Sequence, residues 1–464
     1  MEEHNVAAAL EHFASYKDEY LSDLKNLVRI PSVSFPGFDA VSVRQSAEAV
    51  AKLLTRSGLK DVRTLETGAG HPSVFGQRIE VPGRPTVLLY AHHDVQPPGR
   101  EEHWNSPPFE PTERGGRMYG RGVTDDKAGV IMHAAAVRSY LASVQTLPVN
   151  VKVLIEGEEE IGSANLESLL ENHRDLLTAD VVVIADSENF DSGYPSLTVS
   201  LRGIVTVNVE VRSLASSVHS GTWGGPLPDP VLALSRMLAA LVDDQGRIAI
   251  PGMLDDVRPL SAAEKAGLDN LPFQESTYRK QTKLLDNAHI VGGSGSVYEK
   301  MWYAPSLSIN AIEASSRKQA ANIINDSAWA RVGVRIVPDM DSQKTQELLI
   351  DHLKKNAPWG VTVTITPESP APWWRMATQG FAFEAAVAAL EKGYGKKPAI
   401  IGGGGSIPFV RTVTEALGGV PALLVGVGDP YTAAHSENEN LLISDWENAC
   451  RSIIHLLHEL ASRK

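Results

Sequence analysis

The side chains able to do chemistry fall in five short runs, most of them just after an apolar stretch that reads as a strand. In α/β sheets, ligands gather at the carboxyl ends of strands, so this repeated placement carries information. The first run is Tyr90-Ala91-His92-His93-Asp94-Val95. At a strand end such a triplet can aim His92 at a metal ion, with Asp94, two residues on and on the same face, able to support it and His93 facing the other way; by itself it is a weak signal. The second, Gly120-Arg121-Gly122-Val123-Thr124-Asp125-Asp126-Lys127, places two carboxylates at the opening of a helix. By itself it reads as an N-cap and a first-turn acid favoured by the helix dipole. A carboxylate with two oxygens is also what bridges two divalent ions.

The third run, Glu156-Gly157-Glu158-Glu159-Glu160, crowds like charges that repel one another, and a bound cation relieves the repulsion. A carboxylate beside such ions can act as general base on a water. Asp186, with Glu188 nearby, follows the run 181–184, and His435 lies in Tyr431–Glu439. A lone late histidine is an ordinary surface residue; joined to the other runs it completes a set of two imidazoles and several carboxylates. That set suits zinc and, less tightly, manganese or cobalt.

Positioning such a set takes a sheet. Apolar spacing of three and four predicts helices over 6–28 and 41–57. Beyond them, short apolar strands (62–65, 86–90, 149–155, 181–184) alternate with helices (127–143, 166–177). Uninterrupted apolar strands separated by helices predict an α/β fold with a mostly parallel sheet buried on both faces. From 198 to 212 the pattern changes to strict alternation, with Val199, Leu201, Val205, Val207, Val209 and Val211 on one face and a bulge or bend at Gly203. Further alternating segments at 306–312, 328–336 and 361–366, a helix at 230–242 and a polar stretch to about 283 make residues 197–372 an inserted α+β domain. The strand and helix rhythm resumes over 381–393, 399–401, 408–417, 422–425 and 444–462, so 1–196 and 373–464 form the metal-binding domain.

Composition narrows the function. Forty-three basic and 56 acidic side chains leave a formal charge of −13, which disfavours nucleic acid or an anionic membrane as partner. A single cysteine, Cys450, excludes an intrachain disulfide and a thiolate-rich metal site. The opening residues Met1-Glu2-Glu3-His4 have neither the basic start nor the apolar run of a signal peptide, and no run of about 18 apolar residues occurs. The expectation is a cytoplasmic protein.

In combination and order, His92-His93-Asp94-Val95-Gln96-Pro97, Gly120–Lys127, Glu156–Ser163, Asp186, His219-Ser220-Gly221 and His435–Glu439 resemble the dinuclear-zinc dipeptidases of the carnosinase and cytosolic non-specific dipeptidase group. Aminoacylases, succinyl-diaminopimelate desuccinylases and glutamate carboxypeptidases are their wider relatives. The likeness runs from Ile30-Pro31-Ser32-Val33-Ser34 to His435. It implies a zinc-exopeptidase catalytic domain with an inserted lid that mediates dimerisation, and two Zn2+ per subunit, with Mn2+ or Co2+ as substitutes. It implies that His92 and Asp186 bind one ion, Glu160 and His435 the other, and that Asp125 bridges both across a cis Asp125–Asp126 peptide. Glu159 would be the general base on the water between the ions, and Asp94 would fix the tautomer of His92. His219 would reach the other subunit's site to stabilise the oxyanion, with a turn residue beside Gly221 as the plain alternative. Arg335, together with the backbone of Gly405 and Ser406, would hold the substrate's terminal carboxylate.

The resemblance implies hydrolysis of dipeptides or other short peptides, with an N-acyl amino acid amidohydrolase of the same core as the alternative and a non-enzymatic scaffold as the reading from another class. Three departures bear on specificity: Gly402-Gly403 in place of a charged pair, Ser217-Val218 where an Asp-Leu pair is usual, and Asn325-Asp326 where a proline is common. None touches a metal ligand.

Overall fold

The structure is a computed structural model and describes residues 2–463 except Thr67, Ala69 and Ser406. The chain divides into two compact units: Met1–Val199 with Met376–Ile401 and Pro408–Lys464, and Ser200–Arg375 with Gly402–Ile407. The glycine-rich segment therefore belongs with the insertion, and not with the metal-binding portion where the sequence placed it. Its carbonyls explain this: Gly403 O accepts from Arg202 N at 3.2 Å and Gly404 O from Arg202 Nε at 3.0 Å.

In the first unit the central strands Asn150–Glu156, Thr86–His92, Val181–Ile184 and Ala422–Leu424 are adjacent and parallel. They are nearly continuous Val, Leu and Ile, and every residue of Val181–Ile184 is fully buried. Such runs form strands covered on both faces, each buried aliphatic side chain contributing about 1.5–3 kcal/mol. The flanks are antiparallel: Ser73–Arg78 and Lys60–Leu65 on one side, and Ser196–Leu201, through Leu424↔Thr198, on the other. Helices Glu2–Val28, Lys127–Val144 and Ile443–Ser462 pack together through Phe13, Tyr20, Leu24, Tyr140, Trp446 and Leu457, all buried. Cys450 is buried on the last of these. Among the described residues, no helix is long and apolar enough to cross a membrane.

The second unit is built on an antiparallel sheet in the order Ser306–Glu313, Ser327–Ile336, Gly203–Arg212, Thr362–Pro367. The alternation read from the sequence places Val205, Val207, Val209 and Val211 on one face. There they meet Ala330, Val332 and Val334, covered by Leu234 and Met237 of helix Pro230–Ala239 and by Leu349 and Leu353 of helix Ser342–Lys355. Val199 and Leu201, however, lie on a separate strand, Ser196–Leu201. The break falls at Arg202, and Gly203, which opens the next strand, has no room for a side chain: a Cβ there would sit 2.5 Å from the carbonyl oxygen of Ala371. The polar stretch before 283 contains helices Ala262–Asp269 and Glu275–Thr282, the first opened by a reciprocal Ser261–Glu264 capping box.

Candidate metal centre

His92 closes the strand Thr86–His92, beside Glu156 of the neighbouring strand, and both are buried. Asp186 follows Val181–Ile184 by two residues, and Glu159 and Glu160 occupy a 3-10 turn, Glu159–Ile161, just past Asn150–Glu156. Asp125 lies just before helix Lys127–Val144, joined to Asp126 by a cis peptide bond. His435 comes from the loop after Ala422–Leu424 with a left-handed φ of 60°. That loop is over-determined by its surroundings, as such a conformation requires. Asn440 Nδ2 donates to the carbonyls of Tyr431, Thr432 and Asn438 at 3.0–3.1 Å, and Arg121 Nη2 donates to Ser436 O at 3.1 Å.

These elements bring the donor atoms into two groups, His92, Glu159 and Asp186 in one and Asp125, Glu160 and His435 in the other, each within a 4.8 Å span. Asp125 faces both: Oδ1 lies 3.1 Å from His92 Nε2, and Oδ2 lies 2.9 Å from His435 Nε2. Glu160 Oε2 is 3.3 Å from the same His435 nitrogen. Ligands 2.0–2.1 Å from a tetrahedral ion stand about 3.3 Å apart, so these spacings suit ions at both places. Charge agrees, since the four carboxylates of the two groups match two divalent cations.

The electrostatics point the same way. Burial, then the charge of Asp125, pushes Glu160 up to about 9 and Asp186 up to about 6, and burial with Asp186 raises Glu159 well above the usual carboxylate range. Burial would lower His92, but its contacts with Asp125 and Asp94 outweigh that and hold it well up. A cluster with these shifts carries protons until cations displace them.

The supporting contacts refine the sequence reading. His92 Nδ1 lies 3.1 Å from the backbone carbonyl of Asp94 and 3.4 Å from its carboxylate, so the carbonyl is the closer partner fixing the ring. The Asp94 carboxylate instead accepts Ser34 Oγ at 2.7 Å and the backbone N–H groups of Glu159 and Glu160 at 3.2 and 3.1 Å, holding the acidic turn in place. His93 faces away, buried, with Nε2 2.9 Å from Pro72 O, and burial lowers it to about 4. Asp126 sits at the N-cap position without a capping bond; its carboxylate accepts His92 N at 3.3 Å.

Three contributors carried no assignment in the sequence: Ser34, Gln96, whose N and Nε2 donate to Glu160 at 3.1 and 2.7 Å, and Glu439. Glu439 is fully buried. Oε1 accepts Thr124 N and Asp125 N at 3.1 and 3.2 Å, and Oε2 accepts Gly122 N and Arg121 Nη1 at 3.0 and 2.5 Å. It anchors the backbone that presents Asp125. The signal was there, since Glu439 ends the same short run as His435, but nothing in a sequence pairs it with residues more than 300 positions away.

In the second unit, His219 is exposed at the end of the two-residue strand Val218–His219, paired with Ile323–Ile324. It is also the turn residue of the plain alternative, because Nδ1 accepts from Gly221 N and Thr222 N at 3.1 and 3.2 Å. With Nδ1 an acceptor, the ring proton resides on Nε2, which is free to donate. Two of the departures from the family pattern meet beside it: Ser217 Oγ donates to Asp326 Oδ1 at 2.9 Å. Arg335 is half-buried on Ser327–Ile336, Gly405 lies in the Gly402–Ile407 segment, and Ser406 lies outside the described residues.

Two clustered groups of metal-ligating atoms near the strand ends of a mostly parallel sheet suit a pair of bound metal ions. The profile of Peptidase family M20/M25/M40 matches residues 88–459, and the chain belongs to that family. Over 468 residues it is 31% identical to the Cys-Gly metallodipeptidase dug1 of Schizosaccharomyces pombe, covering 96% of both chains. It is 30% identical to the Beta-Ala-His dipeptidase of Rattus norvegicus, covering 92% of this chain and 89% of the other. The solved structure of the di-peptidase Dug1p from Saccharomyces cerevisiae superposes with a TM-score of 0.84 at 28% identity, covering 99% of each chain.

Proposed function

We propose that this protein is a cytoplasmic dipeptidase, a homodimer through its second unit, that uses two zinc ions, or manganese in their place, to hydrolyse short unblocked peptides. The observation that carries the reading is Asp125, one carboxylate whose two oxygens face two separate sets of metal-ligating atoms. His92 and Asp186 would hold one ion and Glu160 and His435 the other. When bound, such a pair supplies a water acidic enough to be a nucleophile near neutral pH and polarises the peptide carbonyl.

Glu159, grouped with His92 and Asp186, takes a proton from the attacking water and returns it to the leaving amine. Asp94 keeps Glu159 and Glu160 in position through their backbone N–H groups. The partner subunit's His219 donates from Nε2 to the developing oxyanion, and Arg335 receives the substrate's terminal carboxylate. Relatives named for Cys-Gly and β-Ala-His substrates place the reading among dipeptidases.

The test is hydrolysis of a panel of free dipeptides beside the matching N-acetyl amino acids, by protein reconstituted with zinc or manganese. Cleavage of the free dipeptides that stops on chelation is expected. Cleavage of the acetylated compounds alone would overturn the dipeptidase reading and make the protein an acyl amino acid hydrolase.

A further inference from the structure

Two arginines of the second unit share one face of its sheet without a carboxylate between them. Ser306 stands directly opposite Arg335 in the antiparallel register, so both side chains project from the same face. Arg202 reaches that face: Nη1 donates to Ser306 Oγ at 3.1 Å, and Nε donates to Gly404 O at 3.0 Å. Both guanidinium groups are half-buried, and among the described residues neither has an ion-pair partner. The contrast lies four residues back on the same strand. There Arg331 is held by both oxygens of Glu368 at 2.9 and 2.7 Å. Burial lowers Arg202 to about 10, with Arg335 adding to the effect, and burial lowers Arg335 as well. Two desolvated cations side by side are costly until an anion joins them.

We propose that Arg202 is a positioning and specificity residue for the substrate's terminal carboxylate. It fixes the Gly403–Gly405 turn through Gly404 O and doubles the positive charge that Arg335 presents. The inference rests on the assignment of Arg335 to that carboxylate and extends it to a residue whose bonds from Nε, Nη1 and the backbone, to Gly404 O, Ser306 Oγ, Ala304 O and Gly403 O, all go to neutral oxygens. A substrate with an anionic terminus gains from both guanidinium groups, and one ending in an amide does not. Arg202 thus sets a requirement for a free carboxyl group.

The test compares zinc-reconstituted parent, Arg202→Met, Arg202→Lys and Arg335→Met on alanyl-glycine and alanyl-glycinamide. The readout is the ratio of kcat/KM for the acid over the amide. The expected result is a fall of about tenfold or more in that ratio for Arg202→Met, expressed in KM with kcat kept within about twofold. Arg202→Lys, which keeps the charge but cannot bond Gly404 O and Ser306 Oγ at once as the guanidinium does, should fall in between, and it carries the test if the methionine variant does not fold. An unchanged ratio in both Arg202 variants while Arg335→Met loses discrimination overturns the proposal and leaves the Arg335 assignment standing. Equal losses on acid and amide overturn it too, as a purely structural effect. An unchanged ratio in Arg335→Met removes the assignment on which the proposal rests.

Discussion

Replacing Glu439 with glutamine tests whether the loop that presents Asp125 is held as the structure indicates. Each Glu439 oxygen faces two donors, Thr124 N and Asp125 N on one side and Gly122 N and Arg121 Nη1 on the other. A glutamine must place its NH2 against one pair or the other, so two donors lose their acceptor whichever way it turns. Arg121, only 1% exposed, also loses its counter-ion. Hydrogen bonds to a charged group contribute about 1.5–3 kcal/mol each, and breaking a buried ion pair from one side costs about 3–5 kcal/mol. These overlap, so about 3–5 kcal/mol is the expected loss, against a typical total of about 5–15 kcal/mol. Asp125 is then presented less firmly, and metal affinity should fall about 10- to 100-fold, as for other groups that orient ligands. Urea unfolding of the metal-bound protein and competition titration with a metal indicator measure the two effects. A variant within about 1 kcal/mol of the parent, with unaltered metal affinity, would refute the reasoning.

Other outcomes follow from the same contacts. Glu159→Gln should lower kcat by about 10²-fold or more while still binding two metal equivalents, measured by steady-state kinetics and metal analysis; loss of an ion instead would make Glu159 a ligand. Chelated protein should lose thermal stability as pH rises from about 5 to 9. Glu160 and Asp186 bind protons more tightly folded than unfolded, so the unfolded state is favoured as those protons leave, and metal-bound protein should lack this trend in calorimetric scans. His133, buried with Nε2 3.0 Å from Tyr90 O, is lowered to about 4 by burial. The unfolded chain therefore binds the extra proton between about 6.5 and 4, and stability falls as pH drops through that window, by about 2 kcal/mol at pH 5. His133→Gln should flatten the acid limb of a denaturation series by that amount.

Periodicity carried most of the framework. The apolar runs at 86–90 and 181–184 read correctly as central parallel strands because burial on both faces leaves no polar alternation to confuse them. The alternation across 198–212 reads as one strand bent at Gly203, since side-chain pattern does not reveal that Gly203 packs against the Ala371 backbone between two separate strands. Helices Ala262–Asp269 and Glu275–Thr282 have no apolar stripe to announce them in the sequence, although the Ser261–Glu264 pair marks the start of the first. In the candidate metal centre, residue type singled out the side chains that the fold brings into the two donor groups. What holds them is largely main chain: the Asp94 carbonyl under His92, and the N–H groups that Asp94 and Glu439 collect. Every residue has those groups, so no residue type signals them.

The central claim is that Asp125 serves two metal positions at once, and metal content measures it most directly. Parent protein and Asp125→Asn, loaded with zinc and freed of excess ion, would be compared by elemental analysis per mole of chain. The structure predicts two ions in the parent and a loss of bound ion in the variant, because one neutral amide oxygen replaces two anionic ones. A parent that saturates with one ion, or a variant that retains two as tightly as the parent, would contradict it.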